Sequence, residues 1–401
     1  MRHFIPFLAI ILCTVATAEQ ATFSGELIFP PIEKHSHGSS IVEAANGDLI
    51  ACWFHGSGER QSDDVMVQGA RMRKGEDTWS TPFVMVDTPN LPDCNPTLFI
   101  DPRGTLWLFW ITVQDNEWGG SVLKYRTATE YTRDGAPEWS WQDVIHVRPT
   151  NLEEPFVAML DKAEVDAAEF IKDNPRIQEQ VDYGREQAKN KRSRRLGWMT
   201  RLQPIMTSEN RMMLGLYSDV FNCSLAAFTE DWGKNWTFSE PIMGSNAMLL
   251  GNIQPAFVQR KNGEIMCYMR DNGMPKNVRT AQSLDNGQTW GELGLIDDID
   301  NSGASVAVTA LANGHWVMIN NSMKQGRHII TAHLSDDEGA TWTYKRNIAE
   351  REPDQANFSY PSVIQGADGT IHCTYSYRED GVIGASIRHV QFNEAWVTAG
   401  D

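Results

Sequence analysis

The sequence predicts an all-β fold, a six-bladed β-propeller carrying one helical insertion between blades 2 and 3. Three observations predict it: a hairpin repeated along the chain, a short polar motif that recurs after the hairpins, and one segment of helix-forming residues that breaks the rhythm.

The hairpins set the period. Tight turns fall at Asn46-Gly47-Asp48, Pro102-Arg103-Gly104, Ser208-Glu209-Asn210, Asn262-Gly263-Glu264, Asn313-Gly314-His315 and Asp368-Gly369-Thr370, each between two apolar runs. Asn-Gly and Asp-Gly mark hairpins because glycine takes a positive φ without strain. The turn centres are spaced by 56, 106, 54, 51 and 55 residues. A repeat near that length, with several short strands per unit, reads as one propeller blade per unit. Blades are expected to begin near residues 37, 94, 200, 253, 303 and 358. Residues 22–30 read as a strand that pairs with the last blade and closes the ring, which removes open sheet edges.

The recurring motif is S-x-D-x-G-x-T-W. It appears at Ser283-Leu-Asp285-Asn-Gly287-Gln-Thr289-Trp290 and at Ser335-Asp-Asp337-Glu-Gly339-Ala-Thr341-Trp342. Thr229-Glu-Asp231-Trp-Gly233-Lys-Asn-Trp236 is a close third copy, and a degenerate trace ends at Trp79. Its aspartate accepts turn hydrogen bonds, its glycine supplies an unusual φ and its tryptophan packs between blades. The motif therefore speaks for the fold and not for catalysis.

The long step lies between the second and third hairpins. Residues 151–195 there are rich in helix formers, lack β-branched runs and end in the basic stretch Lys189-Asn-Lys-Arg-Ser-Arg-Arg195. A helical insertion is expected there, with the basic run as a solvated helix end.

The first residues are a separate matter. Met1-Arg-His precedes an apolar run from Phe4 to Val15 and then Ala16-Thr-Ala18. This pattern reads as a signal peptide over residues 1–18, leaving residues 19–401 as a single exported propeller domain, secreted or periplasmic. No later run has the roughly 18–20 apolar residues of a membrane span. The net charge of −17 argues against a nucleic-acid partner. It leaves room for a small acidic ligand, because a few converging arginines dominate a local field. Cys52, Cys94, Cys223, Cys267 and Cys373 are scattered singly and read as buried small hydrophobes with at most one disulfide. A monomer without cofactor or metal is expected, although His35 and His37 form a His-x-His pair.

In a propeller the inner hairpins open toward one face. Counting back from each turn brings His37 and His55 to that face in blade one, Asn95 and Trp110 in blade two, and Arg201 and Tyr217 in blade three, with Asp219 beyond. Gln254 and Arg270 follow in blade four, Asn320, Asn321 and then Arg327 in blade five, and Tyr360 and Tyr377 in blade six, with Arg378 beyond. Taken singly, such an arginine more often pairs with a structural carboxylate. The shared position is what argues for a site.

From His37 onward the chain resembles the sialidase (neuraminidase) superfamily of BNR/Asp-box proteins. The segments that carry the resemblance are the Asp-boxes above, Asn95-Pro96-Thr97-Leu98, Gly197-Trp198-Met-Thr-Arg201, Asn252-Ile-Gln254-Pro255, Gly326-Arg327 and Ser359-Tyr360-Pro361-Ser362. The resemblance implies a carbohydrate-active enzyme that cleaves glycosidic bonds to an anionic sugar, with three arginines for the carboxylate, a tyrosine nucleophile paired with a glutamate, and an acid/base. Arg270 and Arg327 match the second and third arginines, and Tyr360 matches the nucleophile. Three positions depart. His37 stands where the first arginine is expected, Gln254 stands at the glutamate, and Glu59, Asp63 and Asp64 share the acid/base loop. Gln254 cannot take a proton as a carboxylate can, and His37 brings a titrating group in place of a permanent cation. The expectation is an exo-sialidase-like hydrolase. A lyase acting on uronic-acid glycans and a non-catalytic glycan-binding propeller are the alternatives. In all three, Arg201, Arg270, Arg327, Gln254, His55, Asn95, Tyr217, Tyr377 and Arg378 are expected to bind the sugar.

Overall fold

The computed structural model describes residues 19–244, 251–382 and 384–400, so the predicted signal peptide at residues 1–18 lies outside the described residues. Six antiparallel sheets form the six blades of a propeller. The inner strands are His35–Glu43, Asp93–Ile100, the split pair Trp198–Met199 and Ile205–Met206, Asn252–Gln259, Ala307–Ala310 and Ala356–Gln365. Each lies close to its expected start. The ring closes as expected: Phe23–Leu27 pairs antiparallel with Ser386–Phe392, so blade six is built from both ends of the chain. Glu26 of the closing strand accepts a hydrogen bond from Trp79 Nε1 at 3.0 Å and meets His389 Nδ1 at 2.6 Å.

The insertion between blades two and three is helical: α1 (Glu153–Asp166), α2 (Ala168–Asp173) and α3 (Pro175–Lys189). Proline at the first turn of α3 suits a position where no intrahelical N–H is needed. The insertion buries Phe156, Met159, Leu160 and Val181 in the same core as Trp198 and Phe221 of blade three.

The Asp-boxes behave as turn clips. Ser283 Oγ and Ser335 Oγ each accept from the motif glycine N–H at 2.8 Å, while Asp285 and Asp337 accept from Thr289 and Thr341. Trp236 of blade three packs edge-on to Phe109 of blade two at 6.1 Å, and Trp342 of blade five packs on Tyr268 of blade four at 5.7 Å. These rings join neighbouring blades through apolar burial. The five cysteines Cys52, Cys94, Cys223, Cys267 and Cys373 are all buried and free.

Four inner strands share one irregularity. Pairing shifts by one residue between His37 and Ser40, between Cys94 and Thr97, between Ile253 and Ala256, and between Ser359 and Ser362. In each bulge the first extra residue has a positive φ: Gly38 at 65°, Asn95 at 50°, Gln254 at 58° and Tyr360 at 58°. Proline follows in the last three, and it has no ladder N–H to lose. A left-handed backbone costs a non-glycine residue about 1–3 kcal/mol and persists only where its surroundings enforce it.

Candidate functional site

The bulges aim Asn95, Gln254 and Tyr360 at one another across the axis. Gln254 Nε2 lies 3.2 Å from Tyr360 Oη and 3.4 Å from Tyr217 Oη. Asn95 Nδ2 donates to Tyr217 Oη at 3.0 Å. Arg270 Nη1 donates to Tyr360 Oη at 3.1 Å, and its Nη2 donates to Asn272 Oδ1 at 2.9 Å. A continuous polar chain thus runs Asn95–Tyr217–Gln254–Tyr360–Arg270 across blades two, three, four and six. Gln254 Oε1 is buried without a hydrogen-bond partner among the described residues.

Three guanidinium groups surround Tyr360. Arg327 Cζ stands 5.6 Å from its ring centroid, and its Nη2 donates to Gly303 O at 3.1 Å. Arg201 Cζ stands 5.0 Å from the same ring. Arg201 is only 1% exposed and binds the carbonyls of Ser39, Tyr360 and Pro361, so it braces the backbone beneath Tyr360. Burial pushes its guanidinium down to about 10, which leaves it charged at neutral pH.

His37 covers Tyr360 from blade one, with ring centroids 4.1 Å apart, and His35 sits 5.3 Å farther along. Burial holds the His37 imidazole well below its ordinary range, and His35, Arg327, Arg201 and Arg270 reinforce the shift. His37 is therefore neutral at physiological pH. The cluster opens sideways into a cleft of about 550 Å³ between blades one and six, lined by Lys34, His35, His37, Glu59, Arg327, Tyr377 and Arg378 among others.

Of Glu59, Asp63 and Asp64, only Glu59 lines this cleft. Its Oε1 lies 3.4 Å from His35 Nε2, and that neighbouring ring holds its carboxyl below the usual range. Asp64 is tied to Lys34 at 3.0 Å and to Ser57, and Asp63 Oδ1 accepts from Asn116 Nδ2 at 3.0 Å.

Of the other expected residues, Tyr377 and Arg378 reach only the cleft wall and the rest stand apart. The bulge in blade one moves the pairing by one residue, so His37 faces Phe54 and His55 faces Ser36. His55 Nδ1 contacts Ser36 Oγ at 3.0 Å, on the opposite side of the strand pair from His37. Asn320 and Asn321 are fully buried, and their amides hold the carbonyls of Asp300, Ile329 and Phe358. Trp110 is buried and donates to Asp93 at 2.9 Å. Tyr377 stacks on Phe358 at 5.8 Å, and Arg378 is exposed at the cleft rim. Counting strand steps passes over Ser359 and Asn357, which also line the cleft. Among the described residues no group of three or more His, Cys, Asp or Glu side chains is placed to hold a metal ion.

Solved structures with the same architecture include the leech intramolecular trans-sialidase, with a TM-score of 0.67 at 12% identity over 94% of this chain and 71% of that one. The NanB sialidase from Streptococcus pneumoniae aligns with a TM-score of 0.65 at 11% identity over 93% of this chain and 71% of that one. An α-L-arabinofuranosidase from Fusarium graminearum aligns with a TM-score of 0.59 at 14% identity over 93% and 97% of the two chains. At such identities the likeness speaks for the fold. No curated protein matches the chain in sequence. The profile of the BNR repeat-like domain matches residues 47–160 and 185–373. With its Asp-box clips and six closed blades, the chain belongs to the BNR repeat-like family of sialidase-like propellers.

Proposed function

We propose that this protein is a secreted or periplasmic monomer, one propeller domain over residues 19–401, that cleaves a glycosidic bond to an anionic sugar. The observation that carries this is the convergence of Arg270, Arg327 and Gln254 on Tyr360. Arg270 and Arg327 hold the sialic or uronic carboxylate by charge-assisted hydrogen bonds. Asn95, Tyr217, Gln254, Tyr377 and Arg378 meet the sugar's hydroxyls, and Arg201 and His55 support the strands that present them. No cofactor takes part.

In the hydrolytic reading, Tyr360 Oη attacks the anomeric carbon while Glu59 gives its proton to the departing oxygen. The phenolic proton has no carboxylate to go to, because Gln254 stands there, and it passes to solvent water. Water then attacks, Glu59 takes its proton, the bond to Tyr360 breaks, and the phenolate regains a proton from solvent. Arg270 offsets the negative charge that develops on Oη. Glu59 must start protonated, and its carboxyl is held low, so hydrolysis should be fastest in acid and fall as pH rises.

A neutral His37 beside Tyr360, with an amide at the glutamate position, favours a second reading. In a lyase, His37 would remove the proton α to a uronate carboxylate, and elimination would leave an unsaturated sugar. Substitution separates the two. With a sialoside and a uronate polysaccharide as substrates, His37→Arg should keep or raise hydrolysis, because it restores a third arginine. Loss of an activity that yields unsaturated products in that variant would reverse the ranking. Absence of both activities, with glycan affinity unchanged by Tyr360→Phe, would leave a binding propeller.

A further inference from the structure

The basic run at the end of the insertion is a cationic feature that the sugar chemistry above does not use. Five of the seven residues 189–195 are basic, on a chain whose net charge is −17. The run starts at the last residue of α3 and continues as a wound turn. Asn190 O accepts from Arg194 N at 3.1 Å, and Arg192 O accepts from Leu196 N at 3.0 Å. Asn190 Oδ1 accepts from Arg192 N at 2.9 Å, and Ser193 Oγ donates to Gln187 Oε1 at 2.5 Å. The backbone that carries these charges is therefore set before any partner arrives, which spares part of the ordering cost of binding.

Two of the five charges are spent internally. Arg194 binds Glu153 and the carbonyl of Ala188, and Arg192 Nη2 meets Asp115 Oδ2 at 3.3 Å. Lys189, Lys191 and Arg195 are exposed and make no ion pair among the described residues, and the same holds for Arg148. A hollow of about 420 Å³ brings Arg148 and Arg195 together beside Arg194. Glu153 and Glu154 also line it, and Glu153 is taken up by Arg194. The dipole of α3 accounts for Lys189 at its last turn, but not for Arg148, Lys191 or Arg195, which lie outside the helix.

The ion pair to Asp115 ties this surface to the loop that carries Glu59. Asp115 and Asn116 lie between the blade-two strands Leu106–Val113 and Ser121–Ala128. Asn116 Nδ2 donates to Arg60 O at 2.7 Å and to Asp63 Oδ1 at 3.0 Å. Arg60, next to Glu59, lies over the ring of Trp118 from the same blade-two loop at 5.1 Å. The unpaired cations thus continue, loop by loop, from the side of the axial cluster where Glu59 would meet the departing group.

We propose that Arg148, Lys191 and Arg195 form a docking surface for an anionic polysaccharide, gripping charged units of the chain beyond the one that enters the axial cluster. Charge complementarity names the occupant. Unpaired cations on an otherwise acidic molecule suit a narrow, flexible polyanion, while the net negative charge repels a broad anionic surface such as a membrane. The choice of a glycan among polyanions rests on the axial cluster being the sugar site.

The test is calorimetric binding of polygalacturonate and of polysialic acid, with dextran as the neutral polymer. The wild type should bind at least one of the two polyanions more tightly than dextran, and added salt should weaken that binding. Arg148→Gln combined with Lys191→Gln and Arg195→Gln should weaken it by about tenfold or more at low salt and flatten its salt dependence. Binding of free sialic or glucuronic acid should match the wild type, and so should the urea midpoint, which reports the fold. Unchanged polymer affinity and salt dependence in the triple variant overturns the proposal, as does a wild type that binds neither polyanion better than dextran. A triple variant that loses affinity for phosphatidylglycerol vesicles or duplex DNA but not for the polysaccharides also overturns it. Arg270→Ala combined with Arg327→Ala separates the docking surface from the sugar site. Polymer binding that survives in that double variant and is lost in the triple variant keeps the surface and refutes the axial reading. The reverse refutes the surface and keeps the axial reading.

Discussion

His333 provides a quantitative test of how this fold responds to acid. It lies on the blade-five strand Ile329–Ser335, is 2% exposed, and its Nε2 contacts Asn320 Oδ1 at 3.1 Å. Burial, helped by the nearby Lys345 charge, pushes its imidazole from 6.5 to about 3. The folded form thus refuses a proton that the unfolded chain accepts. Above the unfolded value neither state is protonated and His333 costs nothing. As pH falls from there toward the folded value, the unfolded state is progressively favoured. At about 1.4 kcal/mol per unit, the loss by pH ~5 is roughly 2 kcal/mol, and it approaches about 5 kcal/mol near pH ~3. The assay is urea unfolding followed by tryptophan fluorescence at neutral pH and near pH ~5, in the wild type and in His333→Gln. The substitution shifts stability at both pH values, and the difference between them isolates the titration. The wild type should lose roughly 2 kcal/mol more than the variant on acidification. Equal acid sensitivity in the two proteins would refute the assignment of a buried neutral His333.

The Asp-box glycines are expected to tolerate no side chain. Gly339 has φ +77°, and a Cβ there would meet Trp316 Cζ3 at 2.6 Å as well as Tyr268 Oη. Gly339→Ala should cost about 2–4 kcal/mol, from strain and overpacking together, read as a fall in the urea midpoint. For the proposed sugar site, Arg270→Ala combined with Arg327→Ala should weaken binding of an anionic glycan by about 100-fold or more by calorimetry, with little effect on a neutral one.

The blades, the closing strand and the insertion were legible because each rests on local chemistry repeated in the chain. Asn-Gly turns, Ser-x-Asp-x-Gly-x-Thr-Trp clips and a run without β-branched residues state their conformations without reference to distant partners. The site was legible only to within one residue. Step counting assumes a regular ladder, and each bulge inserts one residue, which separates His55 from His37 and puts Gln254 and Tyr360 at positions with no direct strand partner. The signal was present as Asn95-Pro96, Gln254-Pro255 and Tyr360-Pro361, since proline inside a strand otherwise read as inner calls for a bulge. Arg201 was placed beside Tyr360, but whether an arginine meets ligand or backbone depends on carbonyls from blades one and six, which sequence separation conceals. Choosing Glu59 over Asp63 and Asp64 likewise required knowing that Lys34 and Asn116 engage the other two.

The pairing of Phe23–Leu27 with Ser386–Phe392 works like the buckle of a belt. His37 and Glu59 ride on the first blade and Tyr360, Ser359 and Tyr377 on the last, so the two sides of the candidate site sit on either side of that buckle. During synthesis the first blade emerges long before Tyr360 is added. A chain that stops before Tyr360 cannot assemble the cluster, however well its early blades have folded. Fastening the ends is the step that turns a curved row of sheets into a pocket, and a label or graft that pried Phe23 from Phe392 would silence the site from its far edge.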